Sequence, residues 1–315
     1  MGWVCPMCSS NNESKERTCI VCGEARPSVD LGFDIQSQMN RASGKFSTLL
    51  NAYKPINAEE MYNSALELLE SNPRAGFEKM LECANHGHAP AQNQVGDCYY
   101  YGDGVAQDFV QAVLWFNKAA QQDLRQAQYN LAFCHRYGKG TYKNPATAVL
   151  WYTKAAIAGH TGAQNELGDC YRFGIGTEKD PDQALFWYDQ AAQQGNATGE
   201  FNVGSCYFEG IGVPVDYHLA FAYFTKSAAK GNLEAEIGLG ECYYGGYGVR
   251  KDIKKAIEHY TVAANAGLVE AQYNLGVCYE AFSLFHSKKK AIEWYTKAAE
   301  KGHEKAQKAL ERLKK

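Results

Sequence analysis

Four cysteines near the start of the chain have the spacing of a metal site. Cys5-x2-Cys8 is followed, after ten residues, by Cys19-x2-Cys22. Two such pairs supply four thiolates, which is the ligand set of a structural zinc site. Ordering about 25 residues costs on the order of 35–40 kcal/mol, and this stretch has few apolar side chains to offset that cost. Zinc binding contributes roughly 10–16 kcal/mol. The sequence therefore predicts one structural zinc ion, bound by these four cysteines in a finger of short β-hairpins at residues 1–27.

A catalytic use of these cysteines is not favoured. Dithiol enzymes place their CxxC pair in a βαβ context, which this chain lacks. No P-loop, HExxH or nucleophile-elbow string occurs, and glycine-rich strings such as GDGVAQ recur without a strand in front of them. The sequence therefore indicates that the protein is not an enzyme.

The residues around the four cysteines resemble the Ran-binding-protein-type zinc finger. The resemblance is carried by five positions, which are Trp3, Asn12, Gly23, Arg26 and Pro27. It implies a finger that binds ubiquitin, the GTPase Ran or single-stranded RNA.

The positions that would contact those three ligands depart from the family pattern. Ubiquitin-binding members have Thr-Phe, and Ran-binding members have an aliphatic pair, where this chain has Ser9-Ser10. RNA-binding members have an aromatic residue where this chain has Glu13, which cannot stack on a base and repels phosphate. We therefore expect the finger to contact some other protein. RNA binding, or a place in a ubiquitin-handling complex, is the alternative.

The rest of the chain repeats with a period of 36 residues. Six cysteines mark this period: Cys98, Cys134, Cys170, Cys206, Cys242 and Cys278. A fixed period of that size is typical of a solenoid. Each copy has a helical pattern, a glycine pair and a second helical pattern, which predicts a stack of helix-turn-helix units and an all-α fold.

The turn within each of the first five copies has two signals, whereas the string AFSLFHS replaces the glycine loop in the last copy. A glycine pair, as in Gly138/Gly140, supplies the left-handed conformation that reverses the chain. A capping residue then follows at a constant offset and predicts the start of the second helix. These capping residues are Asp108, Asn144, Asp180, Asp216 and Asp252.

The strings AQYNLG, YxxGxGV and WYxKAA resemble the Sel-like repeat, a branch of the tetratricopeptide superfamily. The resemblance covers six repeats at residues 89–303 and a degenerate first repeat at 58–88, after a polar linker at 28–57. It implies a right-handed α-solenoid of about six to seven repeats. We expect residues 304–315 to form a C-terminal capping helix.

The periodic cysteines are expected to be packing residues. Neighbouring helices lie roughly 9–10 Å apart, which exceeds the ~7 Å limit on the Cα separation of a disulfide. Cysteine then acts as a small buried hydrophobe. Because the eleven cysteines divide into knuckles and packing positions, we expect an intracellular, reducing location in the cytoplasm, with the nucleus as the alternative.

Composition restricts the partners. The formal net charge of −3 gives no field that favours nucleic acid. No apolar run approaches the roughly 18 residues of a membrane span. A protein or peptide partner is therefore favoured, nucleic acid is the less favoured partner, and no membrane contact is expected.

By resemblance to tetratricopeptide stacks, the first helix of each repeat is expected to line a groove that binds a peptide. Aromatic residues would be anchors and charged residues would orient the peptide. We expect asparagines that recur in every second repeat, such as Asn130 and Asn202, to bond to backbone within the stack. The candidate groove residues are Asn93, Asp97, Tyr100, Tyr129, Phe133, Arg136, Asn165, Asp169, Arg172, Phe201, Phe208, Glu241 and Tyr244. The predicted function is an adaptor that binds a protein or peptide through this groove, with the zinc finger as a second contact.

Overall fold

The computed structural model describes residues 3–4, 11–12, 57–281 and 287–314. Two short strands, β1 (Trp3–Val4) and β2 (Asn11–Asn12), pair in antiparallel fashion, with Trp3 opposite Asn12. The expected zinc ligands Cys5, Cys8, Cys19 and Cys22 lie outside the described residues, as does most of the expected linker at 28–57. The zinc finger therefore stays a prediction.

Beyond the β1–β2 pair, the described residues form helices and the turns between them. The helices are α1 (Ala58–Ser71), α2 (Pro73–Asn85), α3 (Ala89–Tyr101), α4 (Phe109–Ala120), α5 (Arg125–Tyr137), α6 (Pro145–Ile157), α7 (Thr161–Phe173), α8 (Pro181–Gln193), α9 (Ala197–Glu209), α10 (Tyr217–Ala229), α11 (Leu233–Gly245), α12 (Ile253–Asn265), α13 (Val269–Ala281), α14 (Lys288–Glu300) and α15 (Glu304–Lys314).

The chain divides into two compact units. The first unit extends to Cys134 and includes residues 138–143, and the second contains His135–Tyr137 and the chain from Asn144 onward. In the first unit, α1 to α4 pack against one another in chain order. In the second unit, α6 to α15 do the same, and α9 also contacts α7 and α11. The predicted fold of stacked helix pairs is thus confirmed within each unit.

The predicted capping residues begin the second helix of each pair. Asp108 Oδ1 accepts hydrogen bonds from the N–H groups of Val110 and Gln111, at 2.9 and 3.1 Å. Asn144, Asp180, Asp216 and Asp252 cap their helices in the same way. In the last repeat Ser287 has this role, which the sequence analysis missed because the glycine loop is absent there.

The two glycines of each turn have different functions. The first ends the first helix in the left-handed conformation, as at Gly138, where φ is 72° and the N–H donates to the carbonyl of Cys134 at 2.9 Å. The second has a positive φ as well, but it also lies against the start of the preceding second helix. A Cβ placed on Gly140 would be 1.9 Å from the carbonyl oxygen of Phe109. The sequence predicted the reversal of the chain but not this close approach.

The close approach recurs in both units. A Cβ on Gly104 would be 2.1 Å from Pro73 O, and one on Gly248 would be 2.0 Å from Tyr217 O. Gly176 and Gly212 lie in the same way against Pro145 and Pro181. Contact between backbones at this distance leaves no room for a side chain, so the second glycine fixes how closely one repeat lies on the next.

The periodic cysteines are buried, as predicted. All six have a relative exposure of 1% or less and are free thiols, as is Cys83. Burial raises the pKa of the Cys98, Cys134, Cys242 and Cys278 thiols to about 12. These thiols are therefore neutral packing groups near pH 7, and the expectation that they form no disulfide is confirmed.

A buried glutamine joins the helix pair to the one before it in four of the six repeats, where the other two have Glu200 and Glu236. Gln92 Nε2 donates to the carbonyl of Ala84 at 3.1 Å, and Gln164 Nε2 donates to Ala156 at the same distance. Gln272 donates in this way to Ala264. The bond gives a carbonyl at the end of a helix a second donor, since the N–H of the following glycine also donates to it, as Gly87 does to Ala84 at 3.0 Å. This accounts for the glutamine of the AQ strings.

The longest helix among the described residues has 14 residues. No helix in this part of the chain is long and apolar enough to span a bilayer.

Replacing Gly140 tests the contact between repeats. The alanine Cβ would collide with the Phe109 carbonyl, and alanine would also be strained at a φ of +70°. We expect Gly140→Ala to lower the free energy of unfolding by about 3 kcal/mol, from roughly 1–2 kcal/mol of backbone strain and roughly 1–3 kcal/mol of overpacking. Chemical denaturation of the two proteins measures the difference.

Gly87→Ala is the matched control. Gly87 has a φ of +86°, but a Cβ there would meet nothing within 4 Å. We expect it to cost only the backbone strain, about 1 kcal/mol. Equal losses for the two variants would show that the close approach at Gly140 does not stabilise the stack.

Candidate partner-binding face

The candidate groove residues lie at fixed positions on the first helix of each repeat. Counted from the periodic cysteine, they are five and one residues before it and two residues after it, as in Asn93, Asp97 and Tyr100 around Cys98. Spacing of four and three residues puts them on one side of a helix. We call the candidate residues of each unit the first-helix face of that unit.

In the first unit, this face contains a cavity of about 150 Å³. Aromatic side chains make up most of its wall, and Tyr100 is their centre. Its ring lies 4.9 Å from Tyr101, 5.0 Å from Phe109 and 6.5 Å from Phe133, edge to face in each case. The structure thus brings the predicted residues Asp97, Tyr100, Tyr129 and Phe133 together at one cavity.

Asp97 is the charged residue among those that line the cavity. Its carboxylate accepts hydrogen bonds from the amides of Asn93, at 2.9 Å, and Asn130, at 3.2 Å. Burial raises the pKa of Asp97 to about 7, although the bond from Asn93 acts in the opposite direction. Asp97 is therefore partly protonated at neutral pH.

The recurring asparagines bond to side chains rather than to backbone. Asn130 Nδ2 donates to Asn93 Oδ1 at 3.1 Å as well as to Asp97, and Asn202 Nδ2 donates to Asn165 Oδ1 at 3.3 Å. The prediction of backbone partners was wrong because the asparagine faces polar side chains of the preceding first helix. Asn93 and Asn165 are each only 8% exposed, so both belong to the floor of the face.

In the second unit, the two predicted arginines are bound within the protein. Arg136 forms an ion pair with Glu166, and Arg172 forms one with Glu209 at 2.7 Å. The sequence analysis assigned these arginines to orienting a peptide. It could not see the pairing, because the acidic partners lie 30 and 37 residues further along the chain.

Asp169 also has an internal partner. The hydroxyl of Tyr188, on α8, donates to Asp169 Oδ1 at 2.6 Å. Burial and this bond raise the pKa of Tyr188. Asp169 is thus held by a second-helix residue that the sequence analysis did not include in the face.

Two aromatic residues of the face continue into a cluster in the second unit. Phe208 lies 5.3 Å from Tyr217 and 5.4 Å from Tyr247, and Phe201 lies 5.7 Å from Phe224. Tyr247 is 40% exposed. The cluster offers an apolar surface that reaches solvent.

Glu241 and Tyr244 line a second cavity, of about 270 Å³, within the second unit. Its other lining residues are Tyr260, Tyr273, Asn274 and Val277. Burial raises the pKa of Glu241, and the neighbouring charges of Glu270 and Glu209 raise it further. This cavity repeats the one at Asp97 four periods later in the sequence, since 144 residues separate Asp97 from Glu241.

Several exposed aromatic residues stand directly beside the predicted positions. Tyr101 is 69% exposed and Phe173 is 54% exposed, and both occupy the third place after the periodic cysteine. The Arg172 guanidinium lies 5.2 Å from the Phe173 ring centroid. Their position at the end of the first helix could have identified them, but the predicted positions ended at the second residue after the cysteine.

The described part of the chain lacks the side-chain groupings that hold metal ions. Within the ranges 57–281 and 287–314, no three His, Cys, Asp or Glu side chains come together as metal ligands would. The cysteines predicted to bind zinc lie outside these ranges.

The stacked helix pairs of the two units define a helical repeat protein. The family model of the Sel1 repeat matches residues 89–124, 125–160, 161–196, 197–232, 233–268 and 269–303. The chain therefore belongs to the Sel1 repeat family. Proteins of this family are in general non-catalytic scaffolds for protein interactions.

The solved structures that are similar to this chain include two at 30% sequence identity or more. One is c5321, a protective antigen of uropathogenic Escherichia coli with an SLR fold, at 30% identity and a TM-score of 0.72. That match covers 86% of this chain and 59% of the other. The second is a Sel1 repeat protein from Oxalobacter formigenes, at 32% identity and a TM-score of 0.71, covering 76% of this chain and 96% of the other. A search of curated proteins finds no match.

The raised pKa of Asp97 predicts how stability depends on pH. The folded chain holds this proton up to about pH 7, whereas an unfolded aspartate loses it near pH 3.9. Asp97 therefore lowers the free energy of unfolding as pH rises from about 4 to 7. We expect Asp97→Asn to be more stable than the wild type at pH 8, by about 1–3 kcal/mol, with little difference at pH 4. Thermal unfolding at both pH values measures this.

Asp169→Asn is the matched control, because the Tyr188 hydroxyl already compensates that carboxylate. We expect this variant to gain no stability at pH 8. An Asp97→Asn variant that is destabilised at pH 8 would show that the buried charge is not a cost to the fold.

Proposed function

We propose that the protein is an adaptor whose first-helix face binds an extended peptide segment of a protein partner. The observation that carries this proposal is the recurrence of half-buried and exposed aromatic side chains at the same helix positions in both units. Tyr100 and Tyr101 represent it in the first unit, and Phe173 and Tyr244 in the second. Aromatic residues are enriched among the side chains that dominate binding energy at protein interfaces.

The cavities give this face the shape that peptide recognition needs. An anchor side chain contributes most when it fills a desolvated pocket. The cavities at Tyr100 and at Tyr244 are lined mainly by aromatic rings, each with one carboxylate. The arginines of the face are engaged with Glu166 and Glu209. We therefore assign the anchoring to the aromatic residues and not to the arginines.

We further propose that the four N-terminal cysteines hold zinc and that the finger supplies a second protein contact. Two contacts on one chain raise the overall affinity because the second binding step becomes intramolecular. The support for this step is the spacing of Cys5, Cys8, Cys19 and Cys22.

Selection from a displayed library of random 12-residue peptides tests the binding face. Peptides selected on the full chain are retested on a Tyr101→Ala/Phe173→Ala variant, which removes two exposed rings. We expect the affinity to fall by about tenfold or more, as for loss of an interface anchor. Binding is measured by fluorescence polarisation of labelled peptides.

Tyr142→Ala/Leu150→Ala is the control variant for this selection. It removes two side chains of similar exposure, 94% and 67%, that lie in a turn and on a second helix. We expect its affinity to match the wild type. If the control variant weakens peptide binding and Tyr101→Ala/Phe173→Ala does not, the binding site lies away from the first-helix face.

The zinc content of the purified chain tests the finger. We expect one zinc ion per chain by elemental analysis, and a loss of that ion in Cys5→Ser/Cys8→Ser, because zinc needs all four ligands to close a structural site. The helical circular dichroism signal should be unchanged, since the helices begin at Ala58. A wild-type chain without zinc, or an equal zinc content in the variant, would contradict the proposal.

A further inference from the structure

Three acidic residues recur on the first-helix face at intervals of 72 residues. Asp97, Asp169 and Glu241 each stand one residue before a periodic cysteine. An ionised carboxylate buried without a compensating partner is costly, so such groups are normally paired or hydrogen-bonded. The groups that compensate each carboxylate therefore indicate whether it is satisfied within the protein or by an external partner.

Asp169 is compensated from within the protein. The Tyr188 hydroxyl donates to it at 2.6 Å, and Arg172 follows it by three residues, which places a cation on the same side of the helix. No external group is needed there.

Asp97 lacks both of these compensating groups. Phe116 occupies the position that Tyr188 has two repeats later, and it has no hydroxyl to donate. Tyr100 occupies the position of Arg172. The amides of Asn93 and Asn130 are the hydrogen-bond donors to Asp97, and no salt bridge involves Asp97 in the part of the chain that the structure describes.

The ring of Phe116 matches that of Tyr188 in placement. A Cβ on Gly96 would lie 2.5 Å from the Phe116 ring, and a Cβ on Gly168 would lie 2.4 Å from the Tyr188 ring. The two rings therefore pack on their first helices in the same way. The difference between the two sites is the hydroxyl group.

The space beside Asp97 is suited to a cation. The cavity holds about 150 Å³, a volume that can bind a benzene-sized molecule. Its rings, those of Tyr100, Tyr101, Tyr129, Phe133 and Phe116, have negative faces that attract ammonium and guanidinium groups. The remaining lining groups, Asn130 and the neutral Cys134 thiol, add no charge.

Lysine and arginine side chains are absent from the residues that line this cavity. Lys139 lies in the turn after α5, and its Nζ is 5.3 Å from the centroid of the Phe109 ring, outside the residues that line the cavity. Asp103, in the turn after α3, adds negative charge close to Cys98. The field around Asp97 thus favours an incoming cation.

We propose that the Asp97 cavity receives the basic side chain of a lysine or arginine of the partner peptide. The ammonium or guanidinium group pairs with the Asp97 carboxylate, and the aliphatic stem lies against the aromatic wall. This inference rests on the proposed function, because the basic side chain belongs to the peptide on the first-helix face.

The second cavity has a related lining, although Tyr260 stands there at the position of Tyr188 and carries a hydroxyl. Glu241 lines it together with Tyr244, Tyr260, Tyr273, Asn274 and Val277, and among these Glu241 alone is charged. The described residues give Glu241 no salt bridge. A carboxylate beside aromatic rings therefore occurs twice at one position of the repeat.

The test titrates the full-length chain with N-acetyl-lysine N-methylamide at pH 8, where Asp97 is ionised. The norleucine analogue is the neutral probe of similar shape. Nitrogen-15 spectra follow the side-chain amides of Asn93 and Asn130, which contact the carboxylate. We expect saturable shifts of both amides with the lysine probe, with a dissociation constant of about 1 mM, and no saturable shift with the norleucine probe.

Three variants locate the effect. Asp97→Asn removes the charge, and Phe116→Tyr supplies the hydroxyl that Tyr188 gives to Asp169. We expect both to weaken binding of the lysine probe about tenfold or more. Asp169→Asn is the control and should leave the titration unchanged. Circular dichroism confirms that each variant is folded.

The outcomes separate this inference from the proposed function. Equal shifts with the two probes, or undiminished binding in Asp97→Asn, would overturn the cation site. Library peptides that bind the first-helix face but carry no lysine or arginine would overturn it as well, while leaving the adaptor function in place. Saturable binding of the lysine probe, together with a library selection that yields no binding peptide, would support the cation site and contradict the adaptor function.

Discussion

Contact between the backbones of successive repeats is the constraint on which the stack depends. The second glycine of each turn lies so close to the start of the preceding second helix that a side chain would not fit, at Gly104 and Gly140 in one unit and at Gly248 in the other. Because the contact is made by backbone atoms, it does not vary with the surrounding side chains. It therefore sets the same step from one repeat to the next within each unit.

A constant step places each helix position against the equivalent positions of the neighbouring helices. The cysteine is buried, the glutamine, where present, reaches the carbonyl of the preceding helix, and the positions on either side of the cysteine form the first-helix face. Repeats can then differ at the face without altering the stack. That freedom allows Asp97, Asp169 and Glu241 to stand at one position with different neighbours.

The sequence was sufficient for those features that depend on local interactions. Capping residues such as Asp108 act within three residues, and the left-handed glycines act on their own backbone, so both could be predicted from spacing alone. The burial of the cysteines followed from their period. Contacts across repeats could not be predicted in this way. The partners of Arg136, Arg172 and Asn130 lie 30 or more residues away, and several polar residues were available for each.

A residue that weakens the fold while lining a cavity is best explained by binding. Burial holds the pKa of Asp97 near 7, so an ionised carboxylate there opposes folding. A tyrosine at the position of Phe116 would relieve this cost, as Tyr188 does for Asp169 two repeats later. The hydroxyl that compensates the carboxylate is thus present at Asp169 and absent at Asp97. Sites that lose stability in this manner are often functional, because a carboxylate that has only amide partners in the free protein gains a cationic one when a ligand binds.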